Sequence, residues 1–112
     1  MSKIQKNYPK PYTTPEQSNR LLRLGVPAIS ADFYYRSIYP VTVEAKPSPF
    51  FKPSFPCWSV GQLIWIYNKC VDFDLDDGAA IVIFTQEESP IVQMMKMFED
   101  KVRIMDFSKL EE

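Results

Sequence analysis

Five of the ten prolines of this chain fall between Pro40 and Pro56. Each proline fixes φ and removes an amide donor, so regular helix is excluded across that span and any strand within it is confined to a sheet edge. Residues 39–46 alternate around Val41 and Val43 and predict such an edge strand. The remainder of the span reads as an irregular proline-rich connection between elements on either side.

The flanking segments carry strong helix punctuation. Thr14-Pro15-Glu16-Gln17 combines a capping residue, a first-turn proline and a capping-box glutamine. Leu21, Leu22 and Leu24 supply an apolar face, and Gly25 followed by Pro27 supplies the stop. Residues 30–35 predict a short second helix capped by Ser30. Beyond the prolines, Ser59-Val60-Gly61-Gln62 opens another capping box. There Val60, Leu63, Ile64, Tyr67 and Val71 share a narrow helical face, from which Trp65 projects away.

The alternation Val71-Asp72-Phe73-Asp74-Leu75-Asp76, the Asp77-Gly78 turn and the apolar run at 79–84 predict an antiparallel hairpin whose second strand lies inside the sheet. Ser89-Pro90 then starts a final helix. Ile91, Met94, Met95, Phe98 and Val102 fall within one arc of about 80°, and the two methionines read as core filler.

These elements define an α+β chain of 112 residues. The expected order is two N-terminal helices, the proline-rich connection, a central helix, a hairpin and a C-terminal helix packed on the sheet. Residues 1–13 are polar and read as a flexible arm, residues 14–105 as a single domain, and residues 106–112 as an amphipathic tail that ends acidic and frays. At this size folding buries roughly two-thirds of the unfolded surface, and the 46% apolar content supplies one core.

Several chemistries are removed by composition. There is no histidine, and with it go the usual general base near neutral pH, the commonest zinc ligand and the Ser-His and Cys-His nucleophiles. Gly25, Gly61 and Gly78 stand isolated, so no phosphate loop is formed. A calcium loop begun at Asp72 would need glycine at its sixth position and glutamate at its twelfth; Asp77 and Ile83 stand there. The pairs Asp76/Asp77 and Glu87/Glu88 read as solvated carboxylates. Cys70 lies about 16 Å of helix beyond the Ser59 cap at ~1.5 Å per residue, out of the ~7 Å reach of a disulfide with Cys57, so both read as half-buried reduced thiols. No catalytic, cofactor-binding or metal-binding residue is assigned, and a non-enzymatic role is expected.

The partners expected are therefore proteins. Prolines hold a backbone extended at low entropic cost, and phenylalanines between them can dock in apolar pockets. Phe50, Phe51 and Phe55 in that stretch, with Trp58 and Trp65 on either side of the second capping box, are the candidate contact residues. A connection folded back over its own core is the competing reading of 47–56. The net charge of −1, with no dense basic stripe, lacks the footprint of a nucleic-acid binder. The alternative function remains a nucleic-acid-associated regulator using Lys3, Lys6, Lys10, Arg20 and Arg23; an enzyme built on carboxylates alone ranks third. The longest apolar runs fall short of the ~20 residues of a membrane span, and the start of the chain has no apolar h-region. A cytoplasmic setting is expected.

The segments Tyr12-Thr13-Thr14-Pro15-Glu16-Gln17-Ser18, Leu21-Leu22-Arg23-Leu24-Gly25-Val26-Pro27, Ala31-Asp32-Phe33-Tyr34-Tyr35 and Pro56-Cys57-Trp58-Ser59-Val60-Gly61-Gln62-Leu63 together carry a resemblance. They resemble a group of small proteins from prophages and other mobile elements of gut-dwelling anaerobic bacteria, which have a TTPEQS…LLxLGxP…AD-aromatic-Y start and a PCWS(L/V)G block at mid-chain. The hairpin and final helix match only as a pattern. The resemblance implies a bacterial, mobile-element setting. It carries over no activity, cofactor or catalytic residue.

Overall fold

A computed structural model describes residues 11–38, 40–71 and 87–111. Within them the chain forms three α-helices and a three-stranded antiparallel sheet, a mixed α and β arrangement. Helix α1 (Pro15–Leu24) starts at the capping box read from sequence: Thr14 Oγ1 accepts the Gln17 amide and the Gln17 side chain accepts the Thr14 amide. It stops at Gly25, whose φ of 101° lies in the left-handed region that only glycine enters without strain.

The next segment departs from expectation. Residues 30–35 do not form a second helix. A single 3-10 turn, Ala28–Ser30, is followed by strand β1 (Phe33–Ile38). Aromatic residues favour the pleated surface, and the period-two pattern buries Tyr35 while Tyr34 and Arg36 face outward toward Glu44. Strand β2 (Val41–Ala45) lies at the edge, as its flanking prolines require, and strand β3 (Pro56–Cys57) completes the order β2-β1-β3. A bulge between Tyr35 and Ser37 leaves Arg36 unpaired in the ladder. It lets both the Tyr34 hydroxyl and the Arg36 guanidinium reach the Glu44 carboxylate at 2.9 Å.

Helix α2 (Val60–Cys70) begins at Ser59, whose hydroxyl accepts the Gln62 amide, but the expected capping box is only half formed: the Gln62 side chain donates to Ser30 O and the Ser59 N–H goes to Asp32. Helix α3 (Pro90–Lys101) begins at Ser89, whose hydroxyl accepts the Val92 amide. Helix α3 packs on α2 and α1. Its buried face is Ile91, Met94, Met95 and Phe98, which places both methionines in the core. On α2 the buried residues are Leu63, Ile66, Tyr67 and Cys70, with Val60 and Ile64 partly covered. Each such aliphatic or aromatic side chain contributes about 1.5–3 kcal/mol by leaving water. The predicted hairpin, including the acidic run from Asp72, lies outside the described residues.

Two terminal stretches are part of the folded body. Pro11 to Thr13, assigned to the flexible arm from sequence, runs antiparallel to residues 58–60: Val60 N–H donates to Pro11 O, and Thr13 N–H donates to Trp58 O, each at 2.9 Å. Thr13 is wholly buried. After α3, the 3-10 turns Val102–Ile104 and Phe107–Glu111 fold back along α2, with Asp106 N–H donating to Cys70 O at 2.9 Å. Phe107 and Leu110 of the tail pack against the core.

Candidate functional site

Five sequence-selected contact residues occupy two different environments. Trp58 is wholly buried and is withdrawn from any contact surface. Its indole N–H donates to Ser30 Oγ at 3.1 Å, and its backbone N–H donates to Thr13 Oγ1 at 3.1 Å. A tryptophan between two capping signals reads as exposed only when the covering segments are ignored; here they are Thr13 and the 28–30 turn.

Around Trp58 lies a satisfied polar network. Thr13 Oγ1 and Ser18 Oγ share a hydrogen bond at 2.7 Å, and the Tyr35 hydroxyl donates to Thr13 O. The Cys57 thiol lies against the same carbonyl, 3.4 Å from it. Burial pushes the Tyr35 hydroxyl and the Cys57 thiol up from their ordinary pKa values, which keeps both protonated. Burial likewise raises Cys70. Both cysteines are free and fully buried, not half-buried. The Asp32 carboxylate accepts from the backbone N–H and the hydroxyl of Ser59, and Gln62 Nε2 donates to Ser30 O at 2.7 Å. Ser59 Oγ gives its proton to Asp32 and accepts from the Gln62 amide. Ser59 Oγ thereby joins the Asp32 carboxylate to the first turn of α2.

The other four aromatic residues reach solvent. Phe50 is 86% exposed, Phe55 61%, Trp65 46% and Phe51 37%. The rings of Phe50 and Phe55 thus point to solvent, while the segment that carries them is laid against the folded body, with Pro53 and Pro56 buried and Phe55 O accepting the Tyr35 N–H at 2.9 Å. The 48–51 turn, closed by Phe51 N–H donating to Ser48 O, carries Phe50 at its tip, and the Phe51 ring packs against Tyr34 at a tilt of 57°, 5.4 Å between centroids. Trp65 stands on the outer side of α2 as the wheel predicts. Lys69 Nζ lies 5.5 Å from its ring centroid, within the range of a cation–π contact.

Phe50 and Trp65, although separated in sequence, border one groove of about 750 Å³. One wall is the turn containing Ile29 and the adjacent Asp32. A second is the Lys46-to-Phe50 stretch. A third is the outer face of α2 at Gln62 and Trp65, and the fourth is the tail turn with Phe107, Leu110 and Glu111. Lys46 clamps two walls together, its ammonium donating to Ile29 O at 2.6 Å and Pro49 O at 3.4 Å. Burial lowers its pKa, and the nearby Asp32 charge opposes that shift. The lining is predominantly apolar, and of its charged groups Lys46 and Asp32 are bonded to protein while Glu111 is exposed, an arrangement suited to holding an apolar surface. Among the described residues no three His, Cys, Asp or Glu side chains gather as metal ligands.

Sequence reasoning missed Ile29, Lys46, Phe107 and Leu110. Only the i, i+3 spacing of Phe107 and Leu110 gave a local signal. Phe51 and Phe55 do not line the groove. Arg20 of the alternative basic set is paired with Glu99 at 3.0 Å, while Lys3, Lys6 and Lys10 lie outside the described residues.

Comparison with protein-family models, curated proteins and solved structures returns no match. No helix among the described residues is long and apolar enough to cross a membrane.

Proposed function

We propose that this chain is a non-catalytic accessory protein of a phage or mobile element, acting in the cytoplasm through protein–protein contacts made at the Phe50–Trp65 groove. The observation that supports this reading is the groove itself, in which two exposed aromatic rings border a mainly apolar depression. Aromatic side chains at the centre of an interface supply a disproportionate share of binding energy, and large exposed apolar patches mark interaction sites in folded proteins. The mobile-element setting rests on the sequence resemblance alone.

The test is affinity capture from phage-carrying bacterial lysate with the wild-type chain, Phe50→Ala and Trp65→Ala, each with and without nuclease. A partner that survives nuclease and is lost with either variant supports the reading. Capture that vanishes with nuclease replaces it with the nucleic-acid regulator. Capture unaffected by both substitutions removes the groove from the interface.

A further inference from the structure

The stretch that carries Phe50 is pinned at both ends and held by one side chain between them. At its start the backbone N–H of Lys46 donates to Asp32 O at 3.2 Å. At its far end Pro53 is buried and Phe55 O accepts the Tyr35 N–H at 2.9 Å. Residues 47–50 between these points are all exposed. Pro47 and Pro49 have no amide with which to grip the body, and the bond from Phe51 N–H to Ser48 O lies within the turn itself.

Among the described residues, the one hydrogen bond that residues 47–50 make beyond their own turn is at Pro49 O, and its donor is the Lys46 ammonium at 3.4 Å. The same ammonium donates to Ile29 O at 2.6 Å, in the neighbouring wall of the groove. The Asp32 charge acts on it as well. Lys46 Nζ is therefore the group through which the Phe50 turn is bonded to the 28–30 turn. Charge-assisted bonds are roughly twice as strong as neutral ones, and an uncharged stem of similar length would reach the same place without bonding either carbonyl.

We infer that Lys46 is a latch: its ammonium holds the Phe50 turn where it forms a wall of the groove, and without that charge the turn swings between its two pinned ends. The latch itself stands on the bonding pattern, while its consequence for recognition rests on the groove being a contact surface. Lys46 acts there as a positioning residue, through the place it gives Phe50, rather than as a contact residue.

Pulsed electron paramagnetic resonance tests it, with spin labels at Ser48→Cys on the turn and Asn68→Cys on α2. Both positions are exposed, and the native Cys57 and Cys70 are buried. The doubly labelled chain is compared with its Lys46→Arg and Lys46→Met derivatives, the second keeping an unbranched stem without the charge. One narrow distance distribution is expected with lysine or arginine. In Lys46→Met the displaced share is expected to rise about tenfold, the loss that follows from removing a charge-assisted hydrogen bond. The thermal midpoints should agree within a few degrees, because the backbone pins remain. An unchanged narrow distribution in Lys46→Met overturns the inference, as does a broad one in the parent or in Lys46→Arg. A collapse of the Lys46→Met midpoint also overturns it, since the ammonium would then hold the fold rather than the turn. The distances need no partner, so they are independent of the contact-surface reading. A displaced turn in Lys46→Met with capture from lysate undiminished would leave the latch standing and remove the groove from the interface.

Discussion

Asp32 and Ser59 form a doubled hydrogen bond, the carboxylate accepting both the backbone N–H and the hydroxyl of the serine that caps α2. This ties the residue preceding β1 to the start of a helix that follows the entire proline segment. The cap is thus oriented by a tertiary partner as well as by its own helix. A double-mutant cycle of Asp32→Ala and Ser59→Ala by chemical denaturation is expected to return a coupling of about 0.5–2 kcal/mol, with each single substitution costing about 1–2 kcal/mol. Strict additivity would show that the cap is independent of the sheet.

Thr13→Val tests whether residues 11–13 belong to the folded body. The substitution keeps the shape and removes Oγ1, leaving Trp58 N–H without its acceptor and Ser18 Oγ without its bonded neighbour. An unsatisfied buried group costs about 1–3 kcal/mol, so thermal denaturation is expected to shift down by about 4–8 °C per kcal/mol lost in a domain of this size. An unchanged midpoint would return Thr13 to a loose arm.

The two tryptophans are expected to separate cleanly. Trp58→Ala removes a wholly buried indole and is expected to cost about 3–5 kcal/mol. Trp65→Ala is expected to leave the melting temperature within a few degrees, because nearly half of that side chain already faces water. In the Trp58→Phe variant the remaining fluorescence should be readily quenched by acrylamide, and in the Trp65→Phe variant it should be shielded. Equal quenching of both would contradict the assignment.

Glu44 makes a small, pH-dependent contribution. The Arg36 hydrogen bond, then that of Tyr34, holds its carboxyl below the ordinary value of 4.5. The folded state therefore binds that proton less readily than the unfolded chain. The stabilisation is present above about pH 4.5 and is lost as pH falls through the lowered folded value. Comparing wild type with Glu44→Gln by denaturant unfolding, the wild-type advantage is expected at pH 7 and should shrink below pH 4.5. A difference constant across that range would show that the charge is not involved. The advantage at neutral pH should be modest and salt-sensitive, since the pair is solvent-exposed.

The helices were legible because their signals are local. Thr14 with Gln17, Ser59 with Gln62, and Gly25 after Leu24 act within one turn of the residues they govern. The edge position of β2 was legible for the same reason, through its flanking prolines. Residues 30–35 misled because Ser30 and Asp32 are residues that cap helices, yet here each is taken up from afar: Ser30 Oγ receives Trp58 and Asp32 receives Ser59. Pro56 hid strand β3, since a proline usually argues against a strand. It is tolerated because the short pairing lies at the end of the ladder with β1. The groove was invisible as a unit. Phe50 and Trp65 could be selected singly, but their relation depends on walls contributed by Ile29 and Phe107, which nothing in the local sequence connects to them.

The last of those walls is a short 3-10 turn, Phe107–Glu111, which leans on α2 and places the Phe107 ring beside Gly25. Its hold comes from Phe107 and Leu110 packing against the core rather than from long runs of helical hydrogen bonds. Were the turn to open, one wall of the groove would be withdrawn, and the apparent affinity of any occupant would become its intrinsic affinity scaled by the closed fraction. Stiffening or loosening one turn at the edge of the site would tune recognition without altering a single contacting ring.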